Sequence, residues 1–322
     1  MRFIESDGLT TITVAASVLR VVTVELDGSN QHRRCQLLDR QAGPASAANR
    51  LVTQATEYLE RIGYGDFDRP RLATLIGIHR GHVATIPYEA LGIPLGHQRA
   101  LTHASFHDHL VAQRQGGWCY EMNGLMINML TDLGFRATRA GAAINRDRLG
   151  ERVIGNHMVG LIDLDEGRYV ADVGLGDGPV DPFPLREGAW IDAGLEYRLE
   201  KLEDGWWRFH NHRYALTSNF DFTEDHRELT WFQAPCERLQ TGDRSPFLKH
   251  LVAIRRSGET VRALVDTTYT EMSPARSVAR EIVDHAEYAQ LITAILGRSL
   301  GPELDLLWMT AQHHATLATD PW

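Results

Sequence analysis

The run Arg114-Gln115-Gly116-Gly117-Trp118-Cys119-Tyr120-Glu121-Met122-Asn123 sets a thiol one residue beyond a pair of glycines. Such glycines let a backbone approach a ligand closely and turn sharply. Downstream, Leu125, Met126, Met129, Leu130 and Leu133 recur at helical spacing, and Gly134 stands where a C-terminal glycine ends a helix. The spacing therefore predicts a helix that begins near Cys119. A cysteine there faces the positive end of the macrodipole, which favours thiolate over thiol. The free N–H groups of the first turn could hold a developing oxyanion. The competing reading is a plain buried cysteine, since the residue type is among the most buried.

A thiolate nucleophile needs a basic partner, and that partner an orienting group. Of the 15 histidines, His157 lies in the strand-like Asn156-His157-Met158-Val159, and Asp172 lies in the next such run, Val170-Ala171-Asp172-Val173-Gly174. An acid inside an apolar strand is costly unless paired. A histidine whose imidazolium it stabilises would pair it. Taken singly, each residue also reads as structural, a turn-capping aspartate or a satisfied core histidine. A tight turn at Glu166-Gly167 would set His157 nearly opposite Gly176. Asp172 would then stand about four residues away, roughly 13 Å at strand rise. Contact between the two calls for a bulge, another register or barrel curvature.

The elements that must position these side chains follow from the wider pattern. Residues 1–48 read as an N-terminal extension and linker: a strand-like stretch at 10–24, a polar run at 27–41, then small residues around Gly43-Pro44-Ala45. Residues 49–136 form a helical segment that carries the cysteine, with helices expected over 51–62, 72–83 and 106–113 and an extended stretch at 88–95. Residues 137–245 are β-rich, with strands at 153–164 and 168–173 and a hairpin at 197–202 and 206–217. Residues 246–322 combine a hairpin at 248–255 and 260–266 with a helix over 277–296, and close on a tail holding His313 and His314.

Composition narrows the function classes. The chain has 322 residues, 43% hydrophobic and 23% charged, which is ordinary for a globular protein of several subdomains. A formal net charge of -9 argues against a nucleic-acid partner. Cys35, Cys119 and Cys236 make neither a disulfide framework nor a zinc CxxC pair, so reduced thiols in a cytoplasmic protein are expected. The stretch 10–24 follows acidic residues, contains Arg20 and is too short to span a bilayer, so no membrane partner or export is expected. His103, His107 and His109 could tempt a metal assignment. No cysteine or carboxylate cluster joins them, and a solvated helix face with no metal is expected.

The ordered set GGWCYE-N, NHMVGLI and YVADVGLG resembles the arylamine N-acetyltransferase family, whose cysteine, histidine and aspartate occur in that order. YLERIG, HRGH and IPYEAL upstream are similar to that family's opening helices and its PFENL-like segment, and Ser245-Pro246-Phe247 to the entry of its third domain. The likeness runs from about Tyr58 to Gly297. It implies an α+β fold of helical bundle, β-barrel and α/β lid, whose N-terminal catalytic part resembles the cysteine-protease/transglutaminase-like arrangement.

It implies a Cys119–His157–Asp172 triad and a ping-pong reaction. Acetyl-CoA would acylate Cys119, and an arylamine or hydrazine would take the acetyl group. Gly174, Gly176 and Gly178 would lie beside the coenzyme, and Tyr88 and Leu175 would line the acceptor pocket. The chain departs from the family pattern at Gln115, where an arginine usually precedes the glycines, and at Ala90 within PYEAL. Other readings of the scaffold are an amide synthase, a longer-chain acyltransferase, a transglutaminase-like hydrolase or a non-catalytic CoA-binding module. The sequence says nothing of oligomeric state.

Overall fold

The structure, a computed structural model, describes residues 2–6, 9–13 and 47–317. The chain divides into two compact units, residues 1–45 and 46–322. In the first unit β1 (Arg2–Ser6) and β2 (Leu9–Thr13) form an antiparallel hairpin with Phe3 opposite Ile12. The stretch expected to be extended over 10–24 begins as β2; its remainder, the polar run and the Gly43-Pro44 linker lie outside the described residues.

The second unit opens with α1 (Ala47–Ile62), α2 (Leu72–Thr85) and the two-residue strand β3 (Tyr88–Glu89). Then come α3 (His103–His107), which runs into a π turn at Asp108–Ala112, and α4 (Cys119–Asp132). Every residue of α4 from Cys119 to Leu130 is buried. Its apolar residues cover all faces, as a helix at the centre of a core requires. It packs against α1, α3 and two strands of the following sheet. Gly124 permits the closeness to α3, for a Cβ there would lie 2.4 Å from the Phe106 ring. The helix ends where expected: Gly134 takes φ +88, and the Phe135 amide donates to Leu130 O at 2.9 Å.

Next along the chain are β4 (Arg136–Ile144), α5 (Arg146–Leu149), β5 (His157–Leu164), β6 (Gly167–Ala171) and β7 (Phe183–Pro184). They lead into β8 (Gly188–Asp192), β9 (Leu195–Lys201), β10 (Trp207–His210) and β11 (Asn219–His226). The strands make one antiparallel sheet, ordered β7-β6-β5-β4-β11-β10-β9-β8. It curls around stacked rings of Phe183, Tyr197, Phe209 and Phe220. The expected barrel is an open half-barrel. Its edge strand β7 is two residues long and ends in Pro184, which has no N–H to donate, so the ladder stops there.

The chain then forms α6 (Gln233–Thr241), α7 (Pro246–Lys249), β12 (Val252–Ser257), β13 (Thr260–Val265), β14 (Thr268–Met272) and β15 (Ser277–Glu281). It closes with α8 (His285–Leu296) and α9 (Glu303–Leu317). The second sheet, β15-β14-β13-β12-β3, recruits its last strand from the helical segment. The helix expected over 277–296 is therefore two elements. Residues 277–281 are an exposed edge strand, and Asp284 caps α8 by accepting the Glu287 amide at 2.8 Å. His313 and His314 lie in α9, not in a tail. His314 is buried, with Nδ1 3.0 Å from Asp266, which also pairs with His250 Nδ1 at 2.7 Å. No described helix is long and apolar enough to cross a membrane.

Candidate active site

Cys119 is the first residue of α4 and is 3% exposed. The loop before it is pinned to β3 and to the residue just ahead of it. The Glu89 amide donates to Gly117 O at 2.9 Å, and the Gly117 amide donates to Pro87 O at 3.2 Å. Both glycines are needed for that approach. A Cβ on Gly116 would meet Pro87 O at 2.6 Å, and one on Gly117 would meet Leu110 Cδ2 at 2.7 Å.

Two arginines that sequence reasoning passed over brace this loop. Arg61, nearly buried, donates to Leu110 O at 3.0 Å and reaches Arg114 O and Gln115 O at 3.4 and 3.5 Å. Arg298, just past α8, donates to Glu89 Oε1 at 3.0 Å, so the buried Glu89 carboxylate has a guanidinium although position 115 is a glutamine. The hydrogen bonds of Arg61, more than the charge of Arg114, hold the loop.

His157 begins β5 and is fully buried; Asp172 follows β6 directly and is 3% exposed. His157 Nε2 lies 2.8 Å from Asp172 Oδ2. The anticipated separation rested on the wrong register. The ladder pairs Leu164 with Gly167 and Gly160 with Ala171, so the turn is the two residues Asp165 and Glu166. Extended by one pair, that register sets Asp172 opposite Val159, the same-face neighbour of His157. Diagonal pairs of this kind are within reach of long side chains.

Asn123, one turn along α4 from Cys119, locks the arrangement. Its Nδ2 donates to Asp172 Oδ1 at 2.7 Å and Met158 O at 2.7 Å, and its Oδ1 accepts the Val173 amide at 2.9 Å. The i, i+4 spacing from Cys119 was the available signal. The Gly174 amide also donates to Asp172 Oδ1, at 2.8 Å. Burial works against ionisation of Asp172. The charge and hydrogen bond of His157, then Asn123 and the Gly174 amide, outweigh it and hold the carboxyl below its usual range. An ionised Asp172 keeps a proton on His157 Nε2, leaving Nδ1 as the second working atom. Nδ1 has no hydrogen-bond partner among the described residues, and Cys119 Sγ lies 4.0 Å from the carbonyl of Asn156, the residue before His157.

The helix-start argument for a thiolate is only part of the electrostatics. Burial, followed by the Asp172 charge, pushes the Cys119 thiol well up, against a smaller favourable contribution from the Tyr120 amide. A thiolate in this site can exist as one half of an ion pair, with His157 holding the proton and Asp172 steadying the imidazolium.

Of the other expected site residues, Tyr88, Gly176 and Gly178 line a cavity of about 10 Å³ together with Asp172, Met122 and Arg256. Gly174 and Leu175 are not in its lining. Leu175 packs in the core of the curled sheet, and a Cβ on Gly174 would strike Asn123 Nδ2 at 2.5 Å and Cys119 Cα at 2.8 Å. At Gly176 a Cβ would meet Tyr88 at 2.8 Å and Ile254 at 2.9 Å, so protein packing by itself requires glycine at 174 and 176, whereas at Gly178 it would stand 3.1 Å from the Leu175 side chain, a tight contact that this side chain can relieve.

The three histidines near residue 105 do not form a solvated face. His107 and His109 are buried, and the three rings go to Arg139, Glu57 and Glu121 respectively. Among the described residues no group of three or more His, Cys, Asp or Glu could hold a metal ion.

A family profile described as N-acetyltransferase matches residues 71–304. The chain is 28% identical to the arylamine N-acetyltransferase pineal gland isozyme NAT-3 of Gallus gallus, over 67% of this chain and 82% of that protein. The arylamine N-acetyltransferase structure from Mycobacterium abscessus superposes with a TM-score of 0.73 at 24% identity, covering 85% of this chain and 99% of that one. The Mycobacterium marinum enzyme in complex with CoA gives 0.73 at 24% identity, over 80% and 98%. The chain belongs to the arylamine N-acetyltransferase family.

Proposed function

We propose that the protein is an acetyl-CoA-dependent arylamine N-acetyltransferase that works by a ping-pong mechanism through acetyl-Cys119. The observation that carries this reading is the buried His157–Asp172 pair, locked by Asn123 from the helix that begins at Cys119. In the first half-reaction Cys119 passes its proton to His157 Nδ1 and attacks the thioester carbonyl. The carbon–sulfur bond to the coenzyme breaks, and the leaving thiolate takes the proton back. In the second, the acceptor amine attacks the acetyl-cysteine, His157 Nδ1 takes the amine's proton, and Cys119 leaves as the thiolate. Asp172 holds the ring through Nε2 in both steps.

Acetyl-CoA as donor draws support from the family and from the CoA bound by the M. marinum relative. In this reading Gly176 and Gly178, which line the cavity beside Asp172, would meet the thioester end, and Tyr88, in the same lining, would face the acceptor. The division at about 136 and 245 into cysteine-bearing helices, a β segment and an α/β lid, with a transglutaminase-like catalytic part, belongs to the same proposal. So does a cytoplasmic location, with which free thiols at Cys119 and Cys236 accord.

Intact-protein mass spectrometry after brief mixing with acetyl-CoA tests the reading. One acetyl group should appear on the wild type, be absent from Cys119→Ala and be discharged by an arylamine. A folded wild type that gains no acetyl group and releases no CoA would sink it.

A further inference from the structure

A second cavity, of about 210 Å³, shares no lining residue with the one beside Asp172. Its wall takes Gln113 and Gln115 from the loop that leads to Cys119, Arg99 from the segment before α3, and Arg298 from just past α8. That volume equals about seven waters, enough for a small polar molecule.

The charges around this cavity are not matched. Arg298 Nη2 donates to Glu89 Oε1 at 3.0 Å, and Glu89 Oε2 accepts the Leu91 amide at 3.3 Å, so that carboxylate is satisfied. Arg99 has less. Its Nε stands 3.5 Å from Glu121 Oε1, where a charge-assisted bond runs at about 2.7–2.9 Å. Glu121 is 3% exposed, and burial pushes it up to about 8 against the Arg99 charge. At neutral pH it keeps its proton and leaves the guanidinium unneutralised. His109 Nε2, 4.0 Å from the same oxygen, adds no charge, for burial and then the Arg99 charge push it down to about 4. Glu121 Oε1 and Arg298 Nε are shut away from water and have no hydrogen-bond partner among the described residues. Buried polar atoms in native proteins are nearly always paired.

We infer that this cavity is a second binding site, for a small oxyanion such as a short dicarboxylate or a phosphate, held by Arg99 and Arg298. A cation would meet two guanidiniums, and a neutral occupant would leave Arg99 unmatched. The protonated Glu121 carboxyl adds an O–H donor beside Arg99. Because Gln113 and Gln115 belong to the wall, the occupant braces the loop that leads to Cys119. Glu121 Oε2 continues that path to the Trp118 amide, 3.5 Å away at the cap of α4. The site needs no acyl transfer and stands apart from the reading above.

Calorimetric titration of the full chain with succinate, and with succinamide as its neutral counterpart, tests the inference. Wild type should bind succinate saturably and at least about tenfold tighter than succinamide. Arg99→Gln keeps the backbone bonds to Gln240 at 2.7 and 3.1 Å and should lose about tenfold to a hundredfold in succinate affinity. Inorganic phosphate separates the sources: competition with succinate supports one site that takes either, and binding of one alone names which. No binding of succinate or phosphate, succinamide bound as tightly as succinate, or an affinity unchanged in Arg99→Gln overturns the proposal. Where Arg99→Gln fails to fold, the wild-type comparison of succinate with succinamide decides.

A second readout is pH. Succinate affinity should fall by about tenfold from pH 7 to pH 9, as Glu121 gives up its proton and takes Arg99 for itself, and Glu121→Gln should remove the fall. The other groups facing Glu121 do not mimic this. Burial pushes the Cys119 thiol well up and Cys236 up to about 12, His109 stays neutral, and Glu89 remains paired with Arg298. A wild-type affinity that is flat over this range counts against an anion seated between Arg99 and Glu121.

Discussion

Gly174→Ala is the most exacting test of how Cys119 is placed, because the added methyl group has nowhere to go. Its Cβ would stand 2.8 Å from Cys119 Cα, 3.1 Å from Cys119 Cβ and 2.5 Å from Asn123 Nδ2, where ordinary contact begins at 3.4 Å. The Asn123 side chain cannot swing aside without breaking its bonds to Asp172, Met158 O and the Val173 amide. Cys119 Cα is backbone at the start of a buried helix. Something must retreat by about 0.6 Å at the nucleophile, or Asn123 must release Asp172. Overpacking of this kind costs about 1–3 kcal/mol. A displacement approaching 1 Å at a reacting atom costs on the order of 10²-fold in rate. We therefore expect Gly174→Ala to remain folded, to melt several degrees lower, and to acylate at least about tenfold more slowly. Gly65→Ala, with nothing within 4 Å of the new methyl group, is the control for both readouts. Rapid-quench acylation followed by intact mass is the assay. Acylation of Gly174→Ala at the wild-type rate would refute the claim that this contact sets the position of Cys119.

Asp172→Asn keeps the shape of the site but removes the charge that steadies the imidazolium, and thioester consumption should fall by about 10³–10⁴-fold. Glu121, pushed up to about 8 by burial against the countervailing Arg99 charge, holds a proton in the folded chain that the unfolded chain releases. Its contribution to stability is full below the usual carboxylate range and is lost as pH rises toward 8, at no more than about 1.4 kcal/mol per pH unit. Asp172, held low, acts in the opposite sense: its contribution is present above the usual aspartate range and is lost as pH falls through the lowered value. Urea unfolding between pH 5 and 8 should show the Glu121 slope in wild type and a flatter profile in Glu121→Gln. Arg298→Ala leaves the buried Glu89 carboxylate without its cation and should cost about 1–3 kcal/mol in denaturant unfolding, with Arg298→Lys in between.

The site was legible in the sequence to the extent that its residues sit on elements with strong periodic signals. Helix α4 announced itself through a stripe that ended on Gly134, and this alone fixed Cys119 at a helix start. The His157–Asp172 contact was harder, because one misplaced turn residue moved the apparent partner of His157 to Gly176. Only the ladder register restored the diagonal neighbourhood. Arg61, Arg298 and Arg256 were invisible for another reason. Their partners are backbone carbonyls or residues far off in the chain, and local pattern carries no signal for either. Edge strands such as β15, with every residue exposed, lack the alternation that marks a strand and were absorbed into the helix that follows. The open edge of the curled sheet turned on a two-residue strand ending in proline, too short for any periodicity to register.

The pairing of β3 with β12 also governs how the protein is made. Glu89 lies opposite Ala253 and Tyr88 opposite Ile254, while the same short strand holds Gly117 on its other side. A ribosome releases residues 88–119 long before residues 252–257 exist, and contacts so distant in sequence are among the last to form. The seat of the thiol is thus unfinished until the final third of the chain has emerged. If Cys119 carries the acyl group as proposed, a chain truncated before β12 should hold it as an ordinary cysteine and acylate no faster than a free thiol.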